Sequence, residues 1–430
     1  MADHLNDRLR RKKPLPQNPI VAAITLWFQS STLAQQQQQD LNDLVAQAPK
    51  RWTVYEPMVL LPAGSFGTVT WKQILSSPSG EDVDGLWVRV LKEISKRTGG
   101  GTPLTHLAVN EGIPAVLQHK SAAEERSSNG GTGVFCRDDG GRASDNILRS
   151  PTGLRILHGD FGPASSFPSS VCDATPGPGP GPDADDFARA FWVSTRQNGV
   201  FQTWAPRWTM FSRGNIKEKA RLLDFHRNST DKTTTAWENA WAVDLYAGIG
   251  YFTFSYAKLG MRVLCWELNP WSVEGLRRGA VGNGWSVKVV KGEDELTLPM
   301  HELFRGGERV VVFLEDNGHA ARRIKELSSL NILHINCGLL PTSDASWRDA
   351  WGMAVQGESD EAWLHLHENV GVADIDGRAK DIEQYFLDLA REDGSQKTAH
   401  VVHTEQVKTF APGVWHCVFD LHITRSSSIP

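Results

Sequence analysis

The sequence predicts a doubly wound α/β sheet closed by an antiparallel hairpin, with a smaller α+β accessory unit ahead of it. Three observations carry this. The second half of the 430-residue chain alternates short apolar runs with longer amphipathic ones, the pattern of parallel strands joined by crossover helices. One apolar run, Trp241-Ala242-Val243-Asp244-Leu245-Tyr246, breaks at Ala247-Gly248-Ile249-Gly250 and leads into a helical pattern, as where a buried strand turns toward a ligand. The last two strand-like stretches, 400–409 and 414–423, follow one another directly, so they pair antiparallel.

Taken in order, residues 1–20 read as a mobile basic tail containing Arg8, Arg10, Arg11, Lys12 and Lys13. Residues 20–48 read as a helix with a fraying glutamine run at 35–39. Strands are expected at Trp52-Thr53-Val54-Tyr55 and Met58-Val59-Leu60-Leu61, and helices over 71–75 and 85–95. Residues 21–162 form the accessory unit. Within it, 121–149 is rich in Ser, Gly and charge and reads as a surface insertion. Residues 163–186 are a linker, since Pro176-Gly177-Pro178-Gly179-Pro180-Gly181-Pro182 packs neither as helix nor as sheet. Residues 187–235 connect to a catalytic domain at 236–430. There strands are expected at 242–246, 262–267, 286–290, 310–315, 334–337 and 362–368, and helices at 271–281, 318–328 and 375–391. A parallel sheet with a final antiparallel hairpin is the pattern of class I methyltransferase-like folds.

Composition narrows the function. Hydrophobic residues make up 40% of the chain, enough for real cores. The five cysteines (Cys136, Cys172, Cys265, Cys337, Cys417) contain no CxxC pair, which argues against a zinc site, an iron–sulfur cluster and a disulfide framework. No apolar signal core follows Met1, and no apolar run approaches a membrane span. The expectation is a cytoplasmic protein with no membrane or metal partner. Net charge is −5, so a nucleic-acid partner requires a local basic face. Arg207, Arg213, Lys217, Lys219 and Arg221 supply one just ahead of the cofactor strand.

The glycine turn and the next strand end define a cofactor site. Glycine admits close backbone approach. Glu267, in Cys265-Trp266-Glu267-Leu268-Asn269-Pro270, lies about 20 residues past Gly248, the spacing of a carboxylate that holds ribose hydroxyls. Phe252-Thr253-Phe254 stands where the dinucleotide fingerprint has its third glycine, so a pyrophosphate has no cradle. S-adenosylmethionine, which has no phosphate, fits better than NAD.

Kinase-like features are a decoy. Gly64-Ser65-Phe66-Gly67 imitates a glycine-rich loop, Lys92 the strand lysine, and Asp160-Phe161-Gly162 the magnesium-binding triplet. Nothing between Lys92 and Asp160 supplies the catalytic Asp and Asn that phosphoryl transfer requires.

Ordered motifs then point to a family. They are Trp204-Ala205-Pro206-Arg207-Trp208-Thr209-Met210-Phe211-Ser212-Arg213-Gly214-Asn215 with Glu218-Lys219, Asp244-Leu245-Tyr246-Ala247-Gly248-Ile249-Gly250, Glu267-Leu268-Asn269-Pro270, Asp316-Asn317, Asn336-Cys337-Gly338-Leu339-Leu340-Pro341, His365-Leu366-His367-Glu368-Asn369-Val370, and Val407-Lys408-Thr409-Phe410-Ala411-Pro412. Together they resemble the tRNA wybutosine-synthesizing aminocarboxypropyltransferases, most strongly over 190–423. Weaker matches at Tyr55-Glu56-Pro57-Met58 and Thr105-His106-Leu107-Ala108 look like the fungal form. The sister family methylates N1 of guanine beside the anticodon, and it carries Pro-Arg-Leu where this chain has Arg213-Gly214-Asn215.

The resemblance implies transfer of the 3-amino-3-carboxypropyl group of S-adenosylmethionine to a tricyclic guanine derivative in the anticodon arm of phenylalanine tRNA, leaving methylthioadenosine. The accessory unit would then bind tRNA. The competing readings are tRNA guanine-N1 methylation and a catalytically silent tRNA-binding protein. Expected cofactor contacts are Ser212, Lys219, Gly248, Gly250, Glu267, Asp316 and Asn317, with Arg213 and Asn336 as candidate catalytic residues. Glu293-Asp294 competes with Asp316-Asn317 for the adenine edge, because 287–292 also reads as a strand. Cys337 reads as a buried strand-end cysteine rather than a nucleophile. His365 and His367 alternate on one strand face and read as satisfied histidines rather than a metal pair.

Overall fold

The computed structural model describes residues 18–31, 40–76, 80–98, 103–111, 116–117, 144–145, 153–163, 181–225, 237, 239–303, 306–327, 330–357 and 359–425. The basic tail before residue 18, the glutamine run, most of the 121–149 insertion and the Pro/Gly run up to Pro180 lie outside them, as do Cys136 and Cys172. The described residues fall into two units, one within Met1–Gly112 and Gly153–Phe161, the other within Ile113–Thr152 and Gly162–Pro430.

The first unit is a four-stranded sheet of β1 (Thr53–Tyr55), β2 (Met58–Pro62), β3 (His106–Asn110) and β6 (Leu154–His158), in that order. β1 and β2 form an antiparallel pair, β3 runs parallel to β2, and β6 antiparallel to β3. Helices Val69–Leu75 and Gly80–Thr98 make the crossover from β2 to β3, as a parallel connection requires. The single helix expected over 20–48 is instead Pro19–Ser30 and Leu41–Ala46. Ser31 takes an extended conformation that ends the first, and the Asp40 side chain caps the second at Asn42 N. Buried Trp27, Phe66, Trp71 and Trp87 fill this core. Lys92 lies in the Gly80–Thr98 helix, not on a strand, which removes the kinase likeness.

The second unit holds a short antiparallel pair, β4 (Val116–Leu117) with β5 (Ser144–Asp145), and a hairpin, β7 (Val193–Gln197) with β8 (Val200–Trp204). Its main sheet comprises β9 (Trp241–Asp244), β10 (Arg262–Trp266), β11 (Val287–Val290), β12 (Val310–Phe313), β13 (Ile332–Cys337), β14 (Glu361–Gly371), β15 (Lys397–Ala411) and β16 (Val414–Arg425). The lateral order is β11-β12-β10-β9-β13-β14-β16-β15. Strands β9 to β14 are parallel, and β15 and β16 add an antiparallel edge. Each strand expected in this half is present within three residues of its predicted start. The β7–β8 hairpin was not anticipated, and the Ala184–Arg189 helix, capped by Asp183, begins inside the stretch expected as linker.

The lateral order holds one surprise. β12, not β11, neighbours β10, so the strand that precedes Asp316-Asn317 lies beside the strand that precedes Glu267. Glu293 and Asp294 begin the short Gly292–Leu296 helix beyond the outer strand, and both are exposed.

The segment before β9 is anchored rather than loose. Asn283, at the end of the Pro270–Gly282 helix, accepts from Phe201 N at 2.8 Å and donates to Phe201 O at 2.7 Å. Trp208 stacks on Trp271 at 5.2 Å between centroids. Asn269 Nδ2 also donates to Trp208 O at 3.4 Å, so Trp208 sits at the start of that helix, on the carboxyl side of the parallel strands, where α/β sheets bind ligands.

Candidate functional site

The glycine turn is built as the sequence suggested. Gly248 and Gly250 have φ of 55° and 88°, a region that L side chains enter at a cost. A Cβ on Gly250 would also stand 2.6 Å from the Phe254 ring. Gly248 N donates to Glu267 Oε2 at 2.8 Å, and Asn269 N donates to Oε1 at 2.8 Å. A carboxylate offers about four acceptor sites, so these bonds leave it capacity for a ligand. Burial raises the Glu267 pKa against these backbone bonds. Asn269 Oδ1 accepts from Trp271 N at 2.9 Å, and Pro270 occupies the first helical turn, so Asn269-Pro270 starts the next helix by capping.

Asp244, at the end of β9, locks the turn from below. Its Oδ2 accepts from Thr253 N at 3.0 Å and Thr253 Oγ1 at 2.7 Å, and its Oδ1 accepts from Asn336 Nδ2 at 2.9 Å. Asp244 is fully buried, and burial raises its pKa. In the sequence this role shows only as an acid closing an apolar run. Asn336 is thereby fixed at the end of β13, with its Oδ1 buried and unpartnered. Asn317 Nδ2 donates to Leu245 O at 2.8 Å, tying the loop after β12 to the end of β9. Asp316 caps its own turn, accepting from Gly318 N at 2.8 Å.

Lys219 enters from the Ile216–Asp224 helix. Its Nζ donates to Gln197 Oε1 at 2.7 Å and to Gln202 Oε1 at 2.9 Å, while Gln202 Nε2 donates to Gly250 O at 3.3 Å. Gln202, a residue that sequence reasoning missed, thus links Lys219 to the glycine turn. The ammonium stands 5.1 Å from the Phe211 ring centroid and 5.8 Å from that of Tyr251. Burial lowers its pKa to about 8. Ser212 N donates to Tyr251 Oη at 3.2 Å. Arg213, on the Arg213–Asn215 turn, is exposed. The expected residues therefore meet around one turn, except that Arg213 sits on its outer side and Asp316 is engaged with its own backbone.

The histidines are engaged with other side chains. His365 Nδ1 lies 2.7 Å from Asp420 Oδ1 and its Nε2 lies 2.9 Å from His334 Nδ1, while His367 Nδ1 is 2.9 Å from His416 Nε2. Among the described residues no cluster has the makeup of a metal site. Cys337 is fully buried, and burial pushes its thiol up to about 12, which suits a packing residue rather than a thiolate. No described helix is long and apolar enough to cross a membrane.

No protein-family model matches the sequence. Individual relatives do. The chain is 37% identical over 375 residues to tRNA wybutosine-synthesizing protein 2 of Schizosaccharomyces pombe, covering 87% of this chain and 72% of that protein. It is 31% identical over 415 residues to the Saccharomyces cerevisiae protein of the same name, covering 90% and 77%. A crystal structure of a transferase candidate from Pyrococcus horikoshii has the same fold, with a TM-score of 0.50 and 16% identity over 95% of this chain and 100% of that one. On the extent of these two fungal matches, the chain belongs to the tRNA wybutosine-synthesizing protein 2 family.

Proposed function

We propose that this chain transfers the 3-amino-3-carboxypropyl group of S-adenosylmethionine to the tricyclic guanine derivative beside the anticodon of phenylalanine tRNA, releasing methylthioadenosine. Family membership supports the reaction class, and one observation carries the donor. The Glu267 carboxylate is held by Gly248 N and Asn269 N at the carboxyl end of β10, with lone pairs to spare for a ribose diol. Gly248 and Gly250 let the backbone approach the nucleoside. Asn317 and Asp316 border the adenine edge, because their strand neighbours that of Glu267. Ser212 and Lys219 face the amino-acid arm.

The donor is already activated by its sulfonium, so no covalent nucleophile is needed. The acceptor atom bonds to the arm's γ-carbon, the carbon–sulfur bond breaks, and the electron pair goes to sulfur. The sulfonium becomes a neutral thioether, and the acceptor atom, once bonded to the γ-carbon, loses its proton to solvent. Positioning supplies the acceleration, on the order of 7–11 kcal/mol in ideal cases. Asn336, fixed by Asp244, keeps a buried carbonyl oxygen unpartnered, which supports a role in positioning the acceptor. Arg207, Arg213 and Lys217 contact the tRNA backbone, as does the accessory unit, and the reaction takes place in the cytoplasm.

The test is mass spectrometry of nucleosides after incubating the protein with S-adenosylmethionine and phenylalanine tRNA that carries the tricyclic precursor. The expected product is heavier by one aminocarboxypropyl group, with methylthioadenosine released. A gain of one methyl, with S-adenosylhomocysteine released, would assign the chain to guanine methylation instead.

A further inference from the structure

The closing hairpin reaches back into the site. Lys408 lies on β15, and its Nζ donates to Ser212 Oγ at 3.2 Å. Its side chain crosses the Arg213–Asn215 turn directly over Gly214. A Cβ on Gly214 would stand 2.4 Å from Lys408 Cδ and 3.0 Å from Nζ. Gly214 lies outside the left-handed region, so a side chain here would not strain the backbone but would push the passing lysine off its present path.

Lys408 is half-buried, and burial lowers its pKa. An ammonium carries three donors, and the Ser212 hydroxyl takes one. Lys219 differs, because two glutamine oxygens already hold it. No acidic side chain among the described residues pairs with either ammonium. A desolvated cation held only by neutral partners is unfavourable until an anion completes the site.

We propose that Lys408, with the Ser212 hydroxyl beside it, binds the carboxylate of the donor's aminocarboxypropyl arm, and that Gly214 is the residue that admits it. This rests on the reading of S-adenosylmethionine as donor. Anchoring the far end of the arm fixes which carbon on the sulfonium faces the acceptor. The same feature gives a physical meaning to Gly214, since a side chain there would occupy the path of Lys408. Lys408 makes and breaks no bond; it is a binding and specificity residue.

Calorimetry on the full chain with two ligands tests this: S-adenosylmethionine, and methylthioadenosine, which lacks the arm. Lys408→Met is expected to weaken S-adenosylmethionine at least tenfold while leaving methylthioadenosine within about twofold, as loss of one charge-assisted bond predicts. Lys408→Arg restores most of the difference. Gly214→Val reproduces the Lys408→Met pattern, and carries the same test should that variant not fold. Equal weakening of both ligands, or of neither, overturns the role of Lys408. Wild-type protein that binds neither ligand overturns the donor reading itself, and this proposal with it.

Discussion

Two polar regions lie on the Ile216–Asp224 helix and behave oppositely. On one side Glu218 meets Arg221 at 2.7 Å, and Arg221 Nη2 donates to Asp420 Oδ1 at 3.0 Å. Asp420 in turn holds His365, which meets His334. Every carboxylate there has a cation or an imidazole against it. On the other side Lys219 and Lys408 have only amide, hydroxyl and aromatic partners. The first region is closed and fixes the helix to β14 and β16. The second is open in charge and fits an anionic ligand. Burial and charge alone do not separate structure from binding; what separates them is whether the neighbouring side chains complete the charge.

The closed network gives the largest expected effect. Asp420 is buried, and burial would raise its pKa, but His365 and Arg221 outweigh this and hold it below the usual carboxylate value. Its contribution is therefore present above the unfolded pKa and is lost as pH falls through the lower folded one. Asp420→Ala leaves Arg221 without its partner across the sheet, and is expected to destabilise the fold by about 3–5 kcal/mol, read by chemical denaturation. Unchanged stability would erase the distinction drawn above.

Lys219 gives the opposite pH sign. Its folded pKa is about 8, below the ordinary lysine value of 10.5, so between these the unfolded chain binds more protons and stability rises with pH. The relief amounts to roughly 3 kcal/mol as an upper bound. Denaturation across this window should show wild type gaining on Lys219→Met. A constant difference would mean that the ammonium is not desolvated. Ligand affinity gives the next effect. Glu267→Gln should weaken S-adenosylmethionine and methylthioadenosine alike by about tenfold to a hundredfold, since the ribose is common to both, in contrast with Lys408→Met.

How much of this was legible in the sequence follows from how local each feature is. The glycine turn and Glu267 were readable because each sits at the end of its own strand, and the helix that follows starts with its own cap at Asn269. The strand count of the main sheet was readable from alternation. Lateral order was not: nothing in the 287–290 and 310–313 runs says which pairs with β10, and that pairing is what sets Asp316-Asn317 apart from Glu293-Asp294. Gln202, Asp420 and Lys408 were invisible as site residues because their partners come from distant segments. Gly214 looked like a family marker until Lys408 was seen to pass over it.

The smallest expected effect concerns the outer rim of the open region. Lys217 and Arg213 are exposed on the turn and helix that carry Ser212 and Lys219, and Arg207 lies just upstream, half-buried. Cations that meet phosphates release counterions, so binding weakens with salt in proportion to the contacts made. Replacing Arg207, Arg213 or Lys217 singly with Gln should lower the slope of log affinity for tRNA against log salt by about 1 each, with S-adenosylmethionine affinity unchanged for Lys217→Gln. Lys408→Met, by contrast, should leave that slope alone, because its ammonium is turned inward onto Ser212. A slope unmoved by all three rim substitutions would take the tRNA off this face. A slope lowered by Lys408→Met would mean that the inward cluster reads phosphate rather than the donor's carboxylate.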